Sequence, residues 1–176
     1  MAIVSSSKFL GLLFDPKAKF HLHVEEVSQK ATWRMSKLKM ICKERYDPCK
    51  LTAIRLYKIY MRTLFEYGST AMICASDATI KKWEVLQTKT LRYILGAPAG
   101  IPNEVLLKLA NVPTVRNRIT HLVTNWYKNV EKHNNRDILD FIKERVHACY
   151  PHDERKTPLQ LIMAEIERQK QFETAN

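Results

Sequence analysis

Lys30, Arg34 and Lys37 recur at i, i+4 and i+7, and Arg55, Lys58 and Arg62 at i, i+3 and i+7. On helices, each trio makes one cationic stripe. The chemistry such a stripe serves is neutralisation of a phosphate backbone, which takes several cations in register and no base-reading geometry. Lys81, Lys82, Lys89 and Arg92 add cations on a third periodic stretch. A solvated helix face has the same composition, so the stripes alone leave both readings open. Were the first two stripes to lie on one side of neighbouring helices, their cations would line a single groove.

Other chemistry is sparse. The sequence has no Gly-rich phosphate loop, no GxSxG and no HExxH. Two-metal catalysis needs carboxylates from adjacent strands, and Asp15 and Asp77 stand isolated. His21 and His23 flank the start of a helix, with Glu25 and Glu26 expected in its first turn, where acids suit the dipole. His147, Cys149 and His152 lie close together without a fourth ligand at a recognised spacing, so a polar loop beside Pro151 is the simpler reading and no metal site is expected. The four cysteines form no CxxC pair, which argues for a reducing compartment: cytoplasmic or nuclear, not secreted.

Charge is unevenly placed. The net charge is +11, yet residues 1–135 hold 22 Lys/Arg against 10 Asp/Glu, whereas residues 136–176 hold 7 against 8. A cationic body with a neutral tail fits a polyanionic partner. No apolar run approaches spanning length and no signal peptide opens the chain, so a membrane partner is not expected.

The elements that must carry these cations are mostly helices. Residues 47–68 form the central one, with Asp47 as N-cap, Pro48 in the first turn and Gly68 as the stop. Ile54, Tyr57, Met61, Leu64 and Phe65 give its apolar face, and Leu56, Tyr60 and Tyr67 widen it, so burial over most of the circumference is expected. Residues 20–45 read as a long helix with Val24, Val27, Ala31, Met35, Leu38 and Ile41 as its seam, and Trp33 is expected in the core. Ser76 or Asp77 caps a helix over 78–95 that Gly96 closes. A short helix follows over 103–110, and Thr114 caps another that carries Ile119, Leu122, Val123, Trp126 and Val130. Two more are expected near 136–148 and 158–172. Before all of these, Ile3-Val4 and Phe9 to Phe14 read as two short strands, with Gly11 inside an apolar run marking a bulge or close backbone approach. The expected fold is mainly α, a multi-helix bundle with a short N-terminal strand pair.

Several ordered segments carry a resemblance: Lys8-Phe9-Leu10-Gly11-Leu12-Leu13-Phe14-Asp15, His23-Val24, Lys30-Ala31, Leu56-Tyr57, Leu64-Phe65-Glu66-Tyr67-Gly68-Ser69, Gln87 with Leu91-Arg92, Leu95-Gly96-Ala97-Pro98 and Val112-Pro113. Together, over residues 3–120, the series resembles the end of the reverse transcriptase domain of jockey-like non-LTR retrotransposons. The resemblance implies the close of the palm over 1–19, a thumb-like helical domain over 20–112 and a helical extension over 113–176. It implies that Phe9, Leu10 and Gly11 lie near a primer end as a primer-grip-like element. It also implies that the cations of the three helices face a template–primer duplex of RNA and DNA. The partners would be the fingers and remaining palm of a parent RNA-directed DNA polymerase. Mg²⁺ would serve only that full polymerase, because the paired-aspartate motif is not in this sequence, and this chain alone is expected to be inactive. Met72-Ile73 stands where many relatives carry a tryptophan. A free-standing basic nucleic-acid-binding protein and a helical protein-interaction bundle are the alternatives.

Overall fold

The computed structural model of the chain describes residues 6–15, 19–42, 49–73 and 75–133, together with 137, 138, 140, 160, 164 and 166–168. The fold is mainly α with a short N-terminal strand pair. Strands β1 (Ser7–Phe9) and β2 (Leu12–Phe14) pair antiparallel, Ser7 opposite Phe14 and Phe9 opposite Leu12. Their connection is the two residues Leu10 and Gly11, both at positive φ (47° and 82°). That is the primed-turn geometry whose twist matches a hairpin. Gly11 therefore makes a turn and not a bulge within a strand, because its freedom at positive φ lets the apolar run fold back on itself. Ile3 and Val4 lie outside the described residues.

The described chain divides into two compact units, Met1–Gly68 with Ala75–Asn117, and Ser69–Cys74 with Arg118–Asn176. In the first, α1 (His21–Met40) follows Phe20, which enters at φ 57° while Asp15 accepts hydrogen bonds from the Lys19 and Phe20 amides at 2.9 and 2.7 Å. The first turn of α1 holds no acid. Glu25 and Glu26 fall one turn later and pair with lysines instead. Val24, Val27, Ala31 and Leu38 are buried as the period requires. Trp33 is not: it is 60% exposed, because it lies on the far flank of the helix from that seam.

The central helix is described from Lys50, with Cys49 at its N-cap, so Asp47 and Pro48 lie outside the described residues. It runs as α2 (Lys50–Leu56), a π-helical turn (Tyr57–Met61) and α3 (Arg62–Glu66), ending before Gly68 at φ 70°. Tyr57, Met61 and Phe65 are fully buried, but Leu51, Ile59 and Tyr67 are exposed, so burial covers less of the circumference than expected. A π turn widens the helix and shifts the phase of the residues beyond it. The helix α5 (Asp77–Ile94) starts at Ser76, whose hydroxyl accepts from the Thr79 amide at 3.3 Å. It ends in a Schellman turn, where Gly96 (φ 61°) and Ala97 donate to the carbonyls of Tyr93 and Arg92. Its Trp83 is the largest fully buried side chain among the described residues, its ring tilted 32° to Phe65 at 5.4 Å and its Nε1 donating to the Val24 carbonyl. One tryptophan thus ties α5 to both α1 and the central helix, and removing such a ring costs about 3–5 kcal/mol. The helix α6 (Asn103–Ala110) repeats the Schellman turn with Asn111 at φ 48°.

The helix α7 (Val115–Lys132) is capped as expected, the Asn117 amide donating to the Thr114 hydroxyl at 3.2 Å. Its part in the second unit buries Ile119, Val123, Thr124 and Tyr127, whereas Trp126 is on the exposed side. Met72 and Ile73, in and after α4 (Ser69–Met72), are buried too. Of the two helices expected near 136–148 and 158–172, the described residues are helical and Ile166 is buried. His147, Cys149 and His152 lie outside the described residues.

Candidate nucleic-acid interface

The hairpin tip stands out from the first unit. Phe9 and Leu10 are 65% and 74% exposed, although both are large and apolar. Two contacts hold the turn behind them. Tyr67, itself 55% exposed, donates its hydroxyl to the Leu10 carbonyl, and its ring lies 3.4 Å from where a Cβ on Gly11 would be. Gly68 then packs its bare Cα against the Leu12 side chain, where a Cβ would collide. Behind β2, the Leu13 amide donates to His23 Nδ1 at 3.4 Å. Burial lowers the His23 pKa, with Glu26 opposing and Lys30 and Lys8 reinforcing that shift. His23 is therefore the neutral imidazole that its acceptor role requires.

A row of charge and ring faces runs from this hairpin along one flank of α1. Lys8 and Lys30 both reach Glu26 Oε1, at 3.1 and 2.6 Å. Hydrogen bonds from Lys30 and then Lys8 hold the Glu26 carboxyl below its usual range. Two turns beyond Lys30, the Lys37 ammonium lies 5.3 Å from the Trp33 ring centre. Arg34 lies half-buried between them; its Nη1 donates to the Tyr60 carbonyl at 2.5 Å and its guanidinium covers the Tyr60 ring at 4.8 Å. Arg34 therefore braces α1 against the π turn.

The remaining cations divide. Arg55 points outward, opposite the buried Tyr57 side, and Arg62 Nε sits 2.9 Å from Glu66 Oε1. Counting round the helix from buried Tyr57, Met61 and Phe65 puts Lys58 and Arg62 on the flank opposite Tyr60, the residue Arg34 touches. The single groove of six cations is thus split by the phase of the central helix. On α5, Lys82 pairs with Glu25 at 2.9 Å, and Lys81 and Lys89 are exposed. Arg92 is spent inside the protein. It donates to the carbonyls of Pro98, Ala99 and Ile101 and to Asn103 Oδ1, at 2.8–3.0 Å, and so shapes the loop after α5.

Gln87 is buried and donates to the Pro113 carbonyl at 2.7 Å, while Arg116 clasps the start of α5 through the Ala75 carbonyl and Asp77. The segments that carry the resemblance are therefore joints: Tyr67-Gly68 on the hairpin, Gln87 on Val112-Pro113, Arg92 on the Pro98 loop. Comparison with known proteins finds similar chains. The probable RNA-directed DNA polymerase from transposon X-element of Drosophila melanogaster is 24% identical over 132 residues, 75% of this chain. That from mobile element jockey is 22% identical over 159 residues, 83% of this chain, and its Drosophila funebris counterpart 23% over 128, 73% of this chain. This chain is similar to retrotransposon RNA-directed DNA polymerases. It spans 14%, 17% and 14% of the length of these three relatives. No protein-family model matches it, and no solved structure does.

Asp15 is occupied by backbone amides and Asp77 by Arg116. Among the described residues no three His, Cys, Asp or Glu gather to hold an ion, and no described helix is long and apolar enough to cross a membrane. Sequence reasoning missed Lys8, Trp33 and Tyr67 as surface residues of the hairpin flank. A tryptophan beside a cationic stripe was the available signal, since a ring on that side of the seam has a lysine within cation–π reach.

Proposed function

We propose that the chain is the thumb region of a retrotransposon reverse transcriptase, with the closing hairpin of its palm, and that it grips a template–primer duplex. The observation that carries this reading is the exposed apolar tip Phe9-Leu10, continued along α1 by Lys8, Lys30, Trp33 and Lys37. Apolar residues at the tip suit the sugar and base edges of a primer end. The lysines along the flank suit its phosphates. Arg34 and Arg92 act by positioning the flank and the loop. On this reading the chain works inside the cell with the fingers and palm that bear the metal-binding carboxylates. Alone, it leaves a primer unextended with Mg²⁺ or Mn²⁺.

Photocrosslinking tests the placement. From Glu26, which Lys8 touches, to Lys37 is a rise of ~16 Å along α1, or about five nucleotides of one strand. A photoreactive nucleotide at the primer 3′ end of an RNA–DNA hybrid should mark residues 8–12. One placed about five nucleotides upstream should mark Trp33 or Lys37. Adducts in the reverse order, or only on the neutral tail, would overturn the reading.

A further inference from the structure

A cleft of about 790 Å³ opens where the last turn of α1, the first residue of α2 and the C-terminal end of α5 meet. That volume lies within the range of about 300–1,000 Å³ usual for small-ligand sites. Lys39, Lys50 and Lys89 come to it from three different helices. No carboxylate is among the described residues that line it. Tyr93 and Met35 supply an apolar wall, and the Lys39 ammonium lies 5.1 Å from the Tyr93 ring centre. Arg92 and the Schellman turn at Gly96-Ala97 fix the rim, because Arg92 is tied to the carbonyls beyond it. Lys39 lies nearly half a helical turn from Lys30 and Lys37, so the cleft is on the opposite flank of α1 from the hairpin row.

We propose that this cleft holds a nucleotide of single-stranded nucleic acid, its base against Tyr93 and Met35 and the flanking phosphates at Lys39, Lys50 and Lys89. Stacking on an aromatic ring and point-charge lysines along the backbone are the two parts of sequence-tolerant single-strand binding. Lysine neutralises phosphate without the planar fork that selects one carboxylate or phosphate geometry. An acidic peptide would satisfy the lysines and leave the aromatic wall without a matching group. The site does not depend on the duplex reading, since it uses other residues on another flank.

The test is the anisotropy of a labelled twelve-nucleotide oligothymidylate with the full chain. Lys39→Gln/Lys50→Gln/Lys89→Gln should weaken single-strand binding at least tenfold and reduce the log–log salt slope by about 2, at ~0.7 for each phosphate left unneutralised. Lys108→Gln/Lys132→Gln, at exposed lysines outside both the cleft and the hairpin row, should change it less than twofold. Tyr93→Phe should retain affinity, and Tyr93→Ala should lose about fivefold or more. Lys50 and Lys89 are exposed and Lys39 is half-buried, and matched circular dichroism secures the comparison. Equal losses from the two lysine sets would overturn the proposal. So would full binding by the triple variant, or displacement of the strand by polyglutamate or a free nucleoside triphosphate at equal charge.

Discussion

Replacing Gly68 by alanine tests how the hairpin is held. Gly68 sits at φ 70°, where a residue with a Cβ costs about 1–2 kcal/mol. The new Cβ would also run into the side-chain carbons of Leu12, and overpacking of that kind costs about 1–3 kcal/mol. Gly68→Ala should therefore destabilise by about 2–5 kcal/mol, a large share of the ~5–15 kcal/mol that holds a domain together. The two contributions separate in a double-mutant cycle. In a Leu12→Ala background the clashing carbons are gone, and only the backbone cost of ~1–2 kcal/mol should remain. Urea unfolding of the four proteins gives the coupling. An equal cost of Gly68→Ala in both backgrounds would refute the packing of Leu12 against Gly68, and with it the mechanism that seats the hairpin.

Arg92→Lys replaces a fork that spans four acceptors with one ammonium, so stability should fall by about 1–3 kcal/mol and amide exchange across residues 96–102 should speed up. Unchanged exchange there would remove Arg92 from its bracing role. His23 has a folded pKa below its ordinary 6.5, so the unfolded chain binds the extra proton first. Its contribution to stability is complete above pH ~6.5 and declines as pH falls below it; in thermal melts from pH 7.5 to 5, His23→Gln should show a flatter profile than the wild type, and parallel profiles would contradict the buried neutral imidazole. Trp33→Ala should leave the melting midpoint nearly unchanged, because the ring is exposed, yet weaken RNA–DNA hybrid binding, because the ring sits beside Lys37 in the row that meets the duplex backbone. Undiminished binding would make the ring a passive surface.

The helical frame was legible because period and caps agreed. Val24, Val27, Ala31 and Leu38 form the seam of α1, and Ser76, Gly96 and Thr114 cap where their chemistry predicts. The hairpin was legible as a strand pair, but the turn that closes it was not. Its turn takes Leu10 at positive φ, a residue no turn rule favours there, and what supports it is Tyr67, far along the chain. Hydrophobicity likewise misplaced Trp33, since the apolar residue types do not say which flank of a helix faces a neighbour. The π turn has no signal in the types of Tyr57 to Met61, and the split of the cationic stripes shows only once the Arg34–Tyr60 contact fixes which flank of the central helix meets α1. Lys39, Lys50 and Lys89 share nothing in sequence spacing; only tertiary packing of three helices brings them to one cleft.

The central claim, that the flank from the hairpin along α1 grips a template–primer, rests most directly on the salt dependence of hybrid binding. Affinity of the wild type and of Lys8→Gln/Lys30→Gln/Lys37→Gln for a short RNA–DNA hybrid, measured across salt concentrations, gives the two slopes. The account predicts a drop of about 2–3 in the log–log slope, at roughly 0.7–0.9 for each phosphate that is no longer neutralised. A Lys143→Gln/Arg145→Gln/Arg155→Gln variant of the tail should keep the wild-type slope. An unchanged slope in the flank variant, or the same drop in the tail variant, would contradict it.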